Sequence, residues 1–347
     1  MTAGRKQAAK RLDLGPSVDR AVAEAMVRDE RVLVFGEDVA LLRPALFARF
    51  GASRVMNTPI SESAFLGSAV GAAMAGLRPV VEIMLVDFIA VAMSAVLNEM
   101  AKISSFSGGR WTVPLVVRAT CGGGYGDGGQ HSQALWGMLG GIAGLKVCVP
   151  STPADAAGIM RAAIEDDGPV IFLEHKLISG LWLDTMGGSS RDTVTFDVPE
   201  GSGGGEVAEP VAALPLGQAV VRRTGSDVTI ASVGVSVHRA LQAATELERT
   251  GVSAEVIDLR TVQPLDRDGV RASVSRTGRL LVVDEDYREF GLTGELAAVM
   301  LEAGLAPRFA RVATDTVIPY ARSLESATLP SVRRIVDAVR TLMEATA

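Results

Sequence analysis

Two residues, Glu62 and His131, combine reactive side chains with surroundings that suit catalysis. Glu62 closes the segment NTPISE (57–62), where a short predicted strand gives way to a predicted helix. A carboxylate at such a turn lies at the mouth of a parallel sheet, the region in which α/β proteins bind ligands. A purely structural role is also open, because a first-turn Glu stabilises a helix dipole by about a few tenths of a kcal/mol.

His131 follows the glycine-rich segment GGGYGDGG (122–129), which we interpret as a loop with room for a substrate. Imidazole titrates near neutral pH, so this side chain can move a proton or stabilise a developing charge. An exposed loop histidine without a function is the alternative. The other two histidines, His175 and His238, occupy ordinary strand and helix-start positions that indicate structural roles.

Other acidic residues give weaker signals. Glu37 and Asp38 end a predicted strand and can face the same crevice. The Gly-Asp-Gly at 126–128 is similar to the start of a Mg²⁺-diphosphate motif, which an Asn roughly 25–30 residues downstream would complete with a further oxygen ligand. The sequence contains only Asn57 and Asn98, both upstream. We therefore expect this chain to lack a diphosphate anchor.

Composition and charge argue against several classes of protein. The 347 residues are 48% hydrophobic and 21% charged, which fits about two globular domains. A net charge of -6 and a sequence pI of 5.3 argue against nucleic-acid binding. The apolar run 83–97 is too short to cross a bilayer and contains the charged Asp87, and residues 1–11 lack the apolar core of a signal peptide. Two cysteines without metal-ligand spacing predict a reducing, cytoplasmic location.

Short apolar runs alternate with longer helical patterns, which predicts an α/β fold with mostly parallel sheets covered on both faces. The predicted strands are 32–35, 54–57, 79–85, 114–118, 145–149, 169–174, 227–232, 254–258 and 280–284. The predicted helices include 17–28, 41–50, 62–75, 88–104, 237–248, 266–275, 292–303 and 331–343. Glycine-rich sequence separates two halves, so we predict two doubly wound domains at 1–190 and 212–347, joined by an irregular linker at 191–211.

Many short segments, in a consistent order from about residue 15 to 340, resemble the β subunits of thiamine diphosphate-dependent 2-oxo acid dehydrogenases of the pyruvate, branched-chain and acetoin types. The segments are FGEDV (35–39), NTPISE (57–62), GAAMAGLRP (71–79), SGG (107–109), HSQ (131–133), GLKV (144–147), VPSTP (149–153), VIDLRT (256–261), LVVDE (281–285) and LPSV (329–332). The resemblance implies a transketolase-like pyrimidine-binding domain followed by a transketolase C-terminal domain. It also implies an α subunit that completes an α2β2 heterotetramer and holds Mg²⁺ and the diphosphate of the shared cofactor. A 2-oxo acid substrate and a lipoyl acyltransferase core are further implied.

The resemblance assigns roles to individual residues. Glu62 would hydrogen-bond the aminopyrimidine ring of thiamine diphosphate, and His131 would assist acyl transfer to a lipoyl arm. The implied cofactor-binding set is Glu37, Ile60, Glu62, Met84 and Phe88. A potassium-binding turn is implied at Ala163, Ile164, Asp166 and Gly168, mostly through backbone oxygens.

Departures from the family pattern leave the substrate open. LLRP (41–44) replaces a Gly- and Tyr-containing loop of the family, Val91 replaces a frequent Gln, and Gly168 stands where Asn is common. We keep three hypotheses. The chain is a subunit that acts on a 2-oxo acid, one that performs another thiamine reaction such as acetoin cleavage or split transketolase chemistry, or a non-catalytic assembly subunit.

Overall fold

A computed structural model describes residues 8–180, 184 and 196–344 of the chain. Its strands, in chain order, are β1 (Ala8–Leu12), β2 (Val32–Glu37), β3 (Val55–Thr58), β4 (Arg78–Leu85), β5 (Val116–Cys121), β6 (Lys146–Cys148), β7 (Val170–His175), β8 (Gly205–Glu209), β9 (Val220–Arg223), β10 (Val228–Ser232), β11 (Ala254–Asp258), β12 (Thr261–Gln263), β13 (Arg279–Tyr287) and β14 (Arg308–Thr314).

The helices alternate with these strands along the chain. They are α1 (Leu14–Arg28), α2 (Val39–Leu42), α3 (Pro44–Phe50), α4 (Glu62–Met74), α5 (Ile103–Phe106), α6 (Trp136–Gly140), α7 (Pro153–Glu165), α8 (Lys176–Ser179), α9 (Val235–Glu248), α10 (Arg267–Thr277), α11 (Leu292–Glu302), α12 (Arg322–Thr328) and α13 (Val332–Glu344). Within the described ranges, no helix has the length and apolar character needed to cross a membrane.

The larger sheet of the described residues has seven strands in the order β12-β6-β7-β5-β4-β2-β3. Neighbouring strands run parallel except β12, which is antiparallel to β6. Every residue of β2, β5 and β7 is buried, as a sheet covered by helices on both faces requires. Because β12 comes from the second half of the sequence, the two halves share this sheet.

A second sheet of five strands, in the order β14-β13-β10-β11-β9, forms the core of the second half. Only β9 is antiparallel to its neighbour. Part of the predicted linker is not irregular, because β8 pairs antiparallel with β1. That pairing joins segments almost 200 positions apart, so no local pattern announces it. Residues 181–183 and 185–195, at the predicted boundary, lie outside the described part of the chain.

The helix predicted at 88–104 was wrong as a single element. The chain instead forms a 3₁₀ segment at Val86–Ala92, a π-helical segment at Ala95–Met100, and α5. The Ser63 hydroxyl donates to the Val91 carbonyl at 2.6 Å, which draws that oxygen away from regular helical bonding. Irregular helical turns of this kind often occur at functional sites.

The helix predicted at 41–50 is also divided, at Arg43 and Pro44. Proline cannot donate a backbone hydrogen bond and disfavours helical geometry in the preceding residue. Arg43 turns into the interior, where its side chain is 2% exposed and its Nε donates to Glu82 Oε2 at 2.9 Å. The segment 41–44 is therefore fastened to the core of the first half by a buried ion pair.

Candidate active site

Two carboxylates lie together at the carboxyl edge of the larger sheet. Glu37 ends β2, beside Thr58 of β3, and Glu62 begins α4 a few residues later. Both side chains are buried. Burial, then the negative charge of Glu62, raises the pKa of the Glu37 carboxyl. Glu37 Oε2 is buried and has no hydrogen-bond partner among the described residues. The pair can therefore accept hydrogen bonds from a basic or N–H-bearing ring.

Apolar side chains stand beside these carboxylates. Ile60 is 74% exposed and precedes Glu62 by two positions, while Val91, tied to the neighbouring Ser63, is 60% exposed. Met84 is half-buried near the end of β4, and its carbonyl accepts a hydrogen bond from the Thr120 hydroxyl. Exposed apolar groups next to buried acids suit a flat heterocycle that is polar along one edge.

His131 is half-buried and packs edge-on against Phe88, with ring centroids 5.7 Å apart and an interplanar angle of 83°. Its Nδ1 is buried and lacks a hydrogen-bond partner among the described residues. The exposed-loop alternative therefore fails for this histidine. The ring is oriented by packing, while its nitrogen remains available to a ligand.

A buried lysine bonds the backbone of His131. Lys176 Nζ donates to the His131 carbonyl oxygen, and to Tyr125 OH at 2.6 Å. Burial lowers the pKa of Lys176 to about 8, although nearby Asp87 opposes that shift. Burial also raises the pKa of the Tyr125 phenol. A lysine whose pKa lies near physiological pH therefore contacts the backbone of the predicted acyl-transfer residue.

A hydrogen-bonded chain links both domains at the site. Tyr287 of β13 donates to Gln133 Oε1 at 2.9 Å, and Gln133 Nε2 donates to Asp87 Oδ1 at 2.6 Å. Burial raises the pKa of Asp87, and the bond from Gln133 partly offsets this. Asp87 Oδ2 has no partner in the described part of the chain. Because Gln133 is two residues from His131, this series of hydrogen bonds fixes the carboxyl-terminal end of the loop that carries the histidine.

A second interdomain contact lies behind the loop. His175 Nε2 and Glu285 Oε1 are 2.7 Å apart, both fully buried, and Arg239 Nη1 donates to Glu285 Oε2 at 2.7 Å. Burial alone would raise the pKa of Glu285, but His175 and Arg239 together hold it at about 2. His175 therefore takes part in domain packing and does not face the carboxylate pair. His238 bonds the Ser151 carbonyl at 2.7 Å, which also fits a structural role.

The comparisons with known proteins agree on one protein family. Residues 10–179 match the transketolase pyrimidine-binding domain, and residues 217–335 match the transketolase C-terminal domain. The 2-oxoisovalerate dehydrogenase subunit beta of Bacillus subtilis is 39% identical over 340 residues, which cover 94% of this chain and 97% of that protein. The chain belongs to this family of dehydrogenase β subunits.

Other members of the β-subunit family differ in substrate. The pyruvate dehydrogenase E1 component subunit beta of B. subtilis is 38% identical, with 94% of this chain and 97% of that protein covered. An acetoin:2,6-dichlorophenolindophenol oxidoreductase subunit beta of Cupriavidus necator is 36% identical, with 97% and 98% covered. A solved structure titled split gene transketolase, inactive beta4 tetramer, superposes with a TM-score of 0.77 at 22% identity, covering 96% of this chain and 98% of that one. That likeness concerns the fold, and it confirms the predicted two-domain transketolase-like architecture.

The described site fits the ring half of the cofactor implied for the β-subunit family. Four residues of this region carry buried polar atoms without partners in the described chain: Glu37 Oε2, Thr58 Oγ1, Asp87 Oδ2 and His131 Nδ1. Buried polar groups are normally hydrogen-bonded, so unpartnered atoms of this kind suit a bound polar ligand. Among the described residues, no cluster of three or more His, Cys, Asp or Glu side chains is arranged to hold a metal ion.

The turn to which the β-subunit family resemblance assigns potassium is bonded by basic side chains in this structure. Arg78 Nη1 donates to the carbonyl oxygens of Ile164 and Asp166, at 3.0 Å each. The Asp166 carboxylate accepts from Lys146 Nζ at 2.6 Å and from the Gly168 N–H at 2.7 Å. Two cationic side chains engage oxygens of this turn, and potassium binding at Ala163, Ile164, Asp166 and Gly168 stays a prediction. The turn also lies beside the first residue of β4, at the opposite edge of the sheet from Glu62.

Sequence reasoning missed several residues that the fold brings to the site. Asp87 carried a signal, a charge within an apolar run directly after a strand, but we used it only to exclude a membrane segment. The acids at 284–286 end another apolar strand and offered a similar signal. Lys176 and Tyr287 gave none, because only the tertiary structure places them beside His131 and Gln133.

Proposed function

We propose that this chain is the β subunit of a thiamine diphosphate-dependent 2-oxo acid dehydrogenase and contributes half of each active site. The observation that carries the proposal is the buried Glu37 and Glu62 pair at the carboxyl edge of the sheet, next to exposed Ile60. When bound, the cofactor supplies the electron sink that decarboxylation of a 2-oxo acid needs. The protein has to orient that cofactor and control its protons.

Glu62 is the residue we assign to the aminopyrimidine ring. Its position at the first turn of α4 fixes the carboxylate at the sheet edge, and its buried setting strengthens hydrogen bonds to a ring nitrogen. Burial and the nearby charge of Glu62 raise the pKa of Glu37, and Glu62 begins the helix that points its carboxylate at the sheet edge. We therefore assign Glu62 as the acceptor that activates the ring, and Glu37 as a second contact. Ile60, Met84 and Phe88 would pack on the ring.

His131 is the residue we assign to acyl transfer. In that step the substrate-derived carbon is oxidised to the acyl level, while the lipoyl disulfide takes up two electrons. One sulfur becomes the thioester and the other takes a proton, which His131 would donate. Packing on Phe88 and the Lys176 contact to its carbonyl hold the imidazole in place.

An α subunit would complete the site and hold Mg²⁺ and the diphosphate. One face of α4, directly behind Glu62, supports a docking partner, since a side chain added at Gly67 or Gly71 would meet nothing within 4 Å. Small residues on an exposed helix allow close approach of another backbone. We propose an α2β2 heterotetramer in the cytoplasm that delivers acyl groups to a lipoyl acyltransferase core.

Reconstitution with an α subunit tests this proposal. Purified alone, the chain should release no CO₂ from pyruvate or branched-chain 2-oxo acids. Co-expressed with the α subunit from its own source, it should do so in a thiamine diphosphate-dependent manner. Full activity of the lone chain, or no activity of the assembled complex with any 2-oxo acid or acetoin, would contradict the proposal.

Replacing His131 by Ala should separate the two half-reactions. We expect decarboxylation measured with an artificial electron acceptor to stay within about threefold, and transfer to a free lipoyl domain to fall about 10²- to 10⁴-fold. His238→Ala, remote from the site, is the histidine control. Equal losses in both assays would remove the assignment of His131 to acyl transfer.

A second candidate function is acetoin cleavage, which one relative at 36% identity supports by its name. Assays of the reconstituted α/β complex distinguish acetoin cleavage from 2-oxo acid decarboxylation. Acetoin turnover that exceeds turnover of every 2-oxo acid would favour this candidate, while the roles of Glu62 and His131 would stay as assigned.

A further inference from the structure

The glycine-rich loop that carries His131 is held by carboxylates of the second domain. Glu285 Oε1 accepts the Gly123 N–H at 2.9 Å. Glu325 of α12 accepts two more, from Gly124 N–H at 2.9 Å and from Gly126 N–H at 2.8 Å, with one carboxylate oxygen for each. Three backbone hydrogen bonds therefore join the second domain to the stretch of chain that leads to the histidine.

Glu325 is fully buried, at 0% exposure, so its carboxylate oxygens need hydrogen-bond partners within the protein. A buried carboxylate is stable only when charged or N–H groups satisfy its oxygens. Arg322 Nη1 donates to Oε2 at 3.1 Å, and the two glycine N–H groups donate to Oε1 and Oε2. The side chain is therefore committed to the loop.

The reason why this loop is rich in glycine differs from the one we expected. We interpreted the glycines as room for a substrate, but groups of the second domain fill the space beside Gly123 and Gly128. A Cβ at Gly123 would approach Leu329 to 2.8 Å, and one at Gly128 would approach the Tyr320 ring to 2.4 Å. Glycine permits this close packing, so the loop is shaped by the second domain.

The loop is also fixed at its other end. Lys176 donates to the His131 carbonyl, and the Gly122 N–H donates to the Gln133 carbonyl at 2.8 Å, closing the loop on itself. Between these fixed points, Glu325 holds the middle of the loop through its bonds to Gly124 and Gly126. Loss of its bonds would free Gly124 and Gly126 and let the imidazole drift relative to Phe88.

We propose that Glu325 is a positioning residue for acyl transfer, and that through the loop it makes His131 geometry depend on the second domain. This rests on the proposed function of His131. The conservative variant Glu325→Gln is diagnostic, because an amide keeps one acceptor oxygen but replaces the other with an NH₂ donor that faces a glycine N–H. One of the two loop bonds is lost with little change in size.

The experiment compares Glu325→Gln with Glu255→Gln in the assembled α/β complex. Glu255 is a matched control, a buried second-domain acid at 3% exposure that bonds Arg276 at 2.6 Å and does not contact the loop. Amide hydrogen exchange is measured across residues 122–133. The ratio of lipoyl-domain acylation to artificial-acceptor turnover is measured in the same preparations.

We expect Gly124 and Gly126 to exchange faster in Glu325→Gln only, and the ratio to fall about 10- to 100-fold, the size of loss that follows a misplaced catalytic group. Unchanged exchange would overturn the anchoring itself. Faster exchange with an unchanged ratio would overturn the positioning role. If the wild-type complex shows no thiamine-dependent turnover, the proposed function fails and the positioning role fails with it, while the exchange data still decide the anchoring.

Discussion

The variant Glu62→Gln should lower thiamine-dependent turnover of the assembled complex by about 10²- to 10⁴-fold, the range for loss of a positioned acid or base. An amide at this position cannot accept a strong charge-assisted bond from the aminopyrimidine ring. The free energy of unfolding should change by less than about 1 kcal/mol, because the neutral amide also removes repulsion with Glu37. Steady-state CO₂ release and urea unfolding of the same preparation measure the two effects.

Glu295→Gln is the matched control for this prediction. Glu295 also lies in the first turn of a helix, but on α11 of the second domain, where it pairs with Arg267 at 2.7 Å. It should leave turnover unchanged. If Glu62→Gln retained turnover within about threefold of wild type, the carboxylate would be a helix-stabilising residue, and the non-catalytic assembly hypothesis would take precedence.

The variant Arg43→Met should be the most destabilising substitution we name, by about 3–5 kcal/mol, since it leaves buried carboxylates without their cation. Arg43 bonds Glu82 and faces Asp19 at 3.6 Å and Glu174 at 3.8 Å. Arg118 bonds Glu174 at 2.6 Å and keeps that carboxylate paired, so the loss falls on the bond to Glu82. Urea unfolding of the purified chain measures the loss as a lower midpoint.

A surface arginine gives the comparison for Arg43. Arg31 pairs with Asp29 at 2.8 Å, but its side chain is 55% exposed, and exposed ion pairs contribute little to stability. Arg31→Met should therefore unfold near the wild-type midpoint. The double variant Arg43→Met with Glu82→Leu should recover part of the loss, because it removes the uncompensated charge. If Arg43→Met unfolded at the same urea midpoint as the wild type, the buried ion pairs around Arg43 would not stabilise the fold.

The fold could be predicted because its cues are local. Short apolar runs that alternate with helical periods specify parallel sheets, and strands such as β2 and β10 begin within one residue of their predicted starts. The failures have long-range causes. The β1–β8 pairing joins distant segments, and the divided helices at 41–50 and 88–104 depend on Arg43 and Ser63 meeting partners from elsewhere in the chain.

The candidate site could be predicted only in part. Glu62 and His131 stood out because each lies at a distinctive local segment, and the fold buries Glu62 and half-buries His131. The groups that orient them, Lys176, Glu285 and Glu325, are ordinary residues in sequence and become informative only through their contacts. The potassium site was carried over from the resemblance alone and stays a prediction.

A structure of the α/β complex with thiamine diphosphate bound is the most direct measurement of the role of Glu62. We expect a carboxylate oxygen of Glu62 within about 2.6–3.2 Å of a ring nitrogen of the aminopyrimidine, with His131 facing the reacting end of the cofactor. A cofactor whose aminopyrimidine binds elsewhere, with no ring atom in hydrogen-bonding reach of Glu62, would contradict the account.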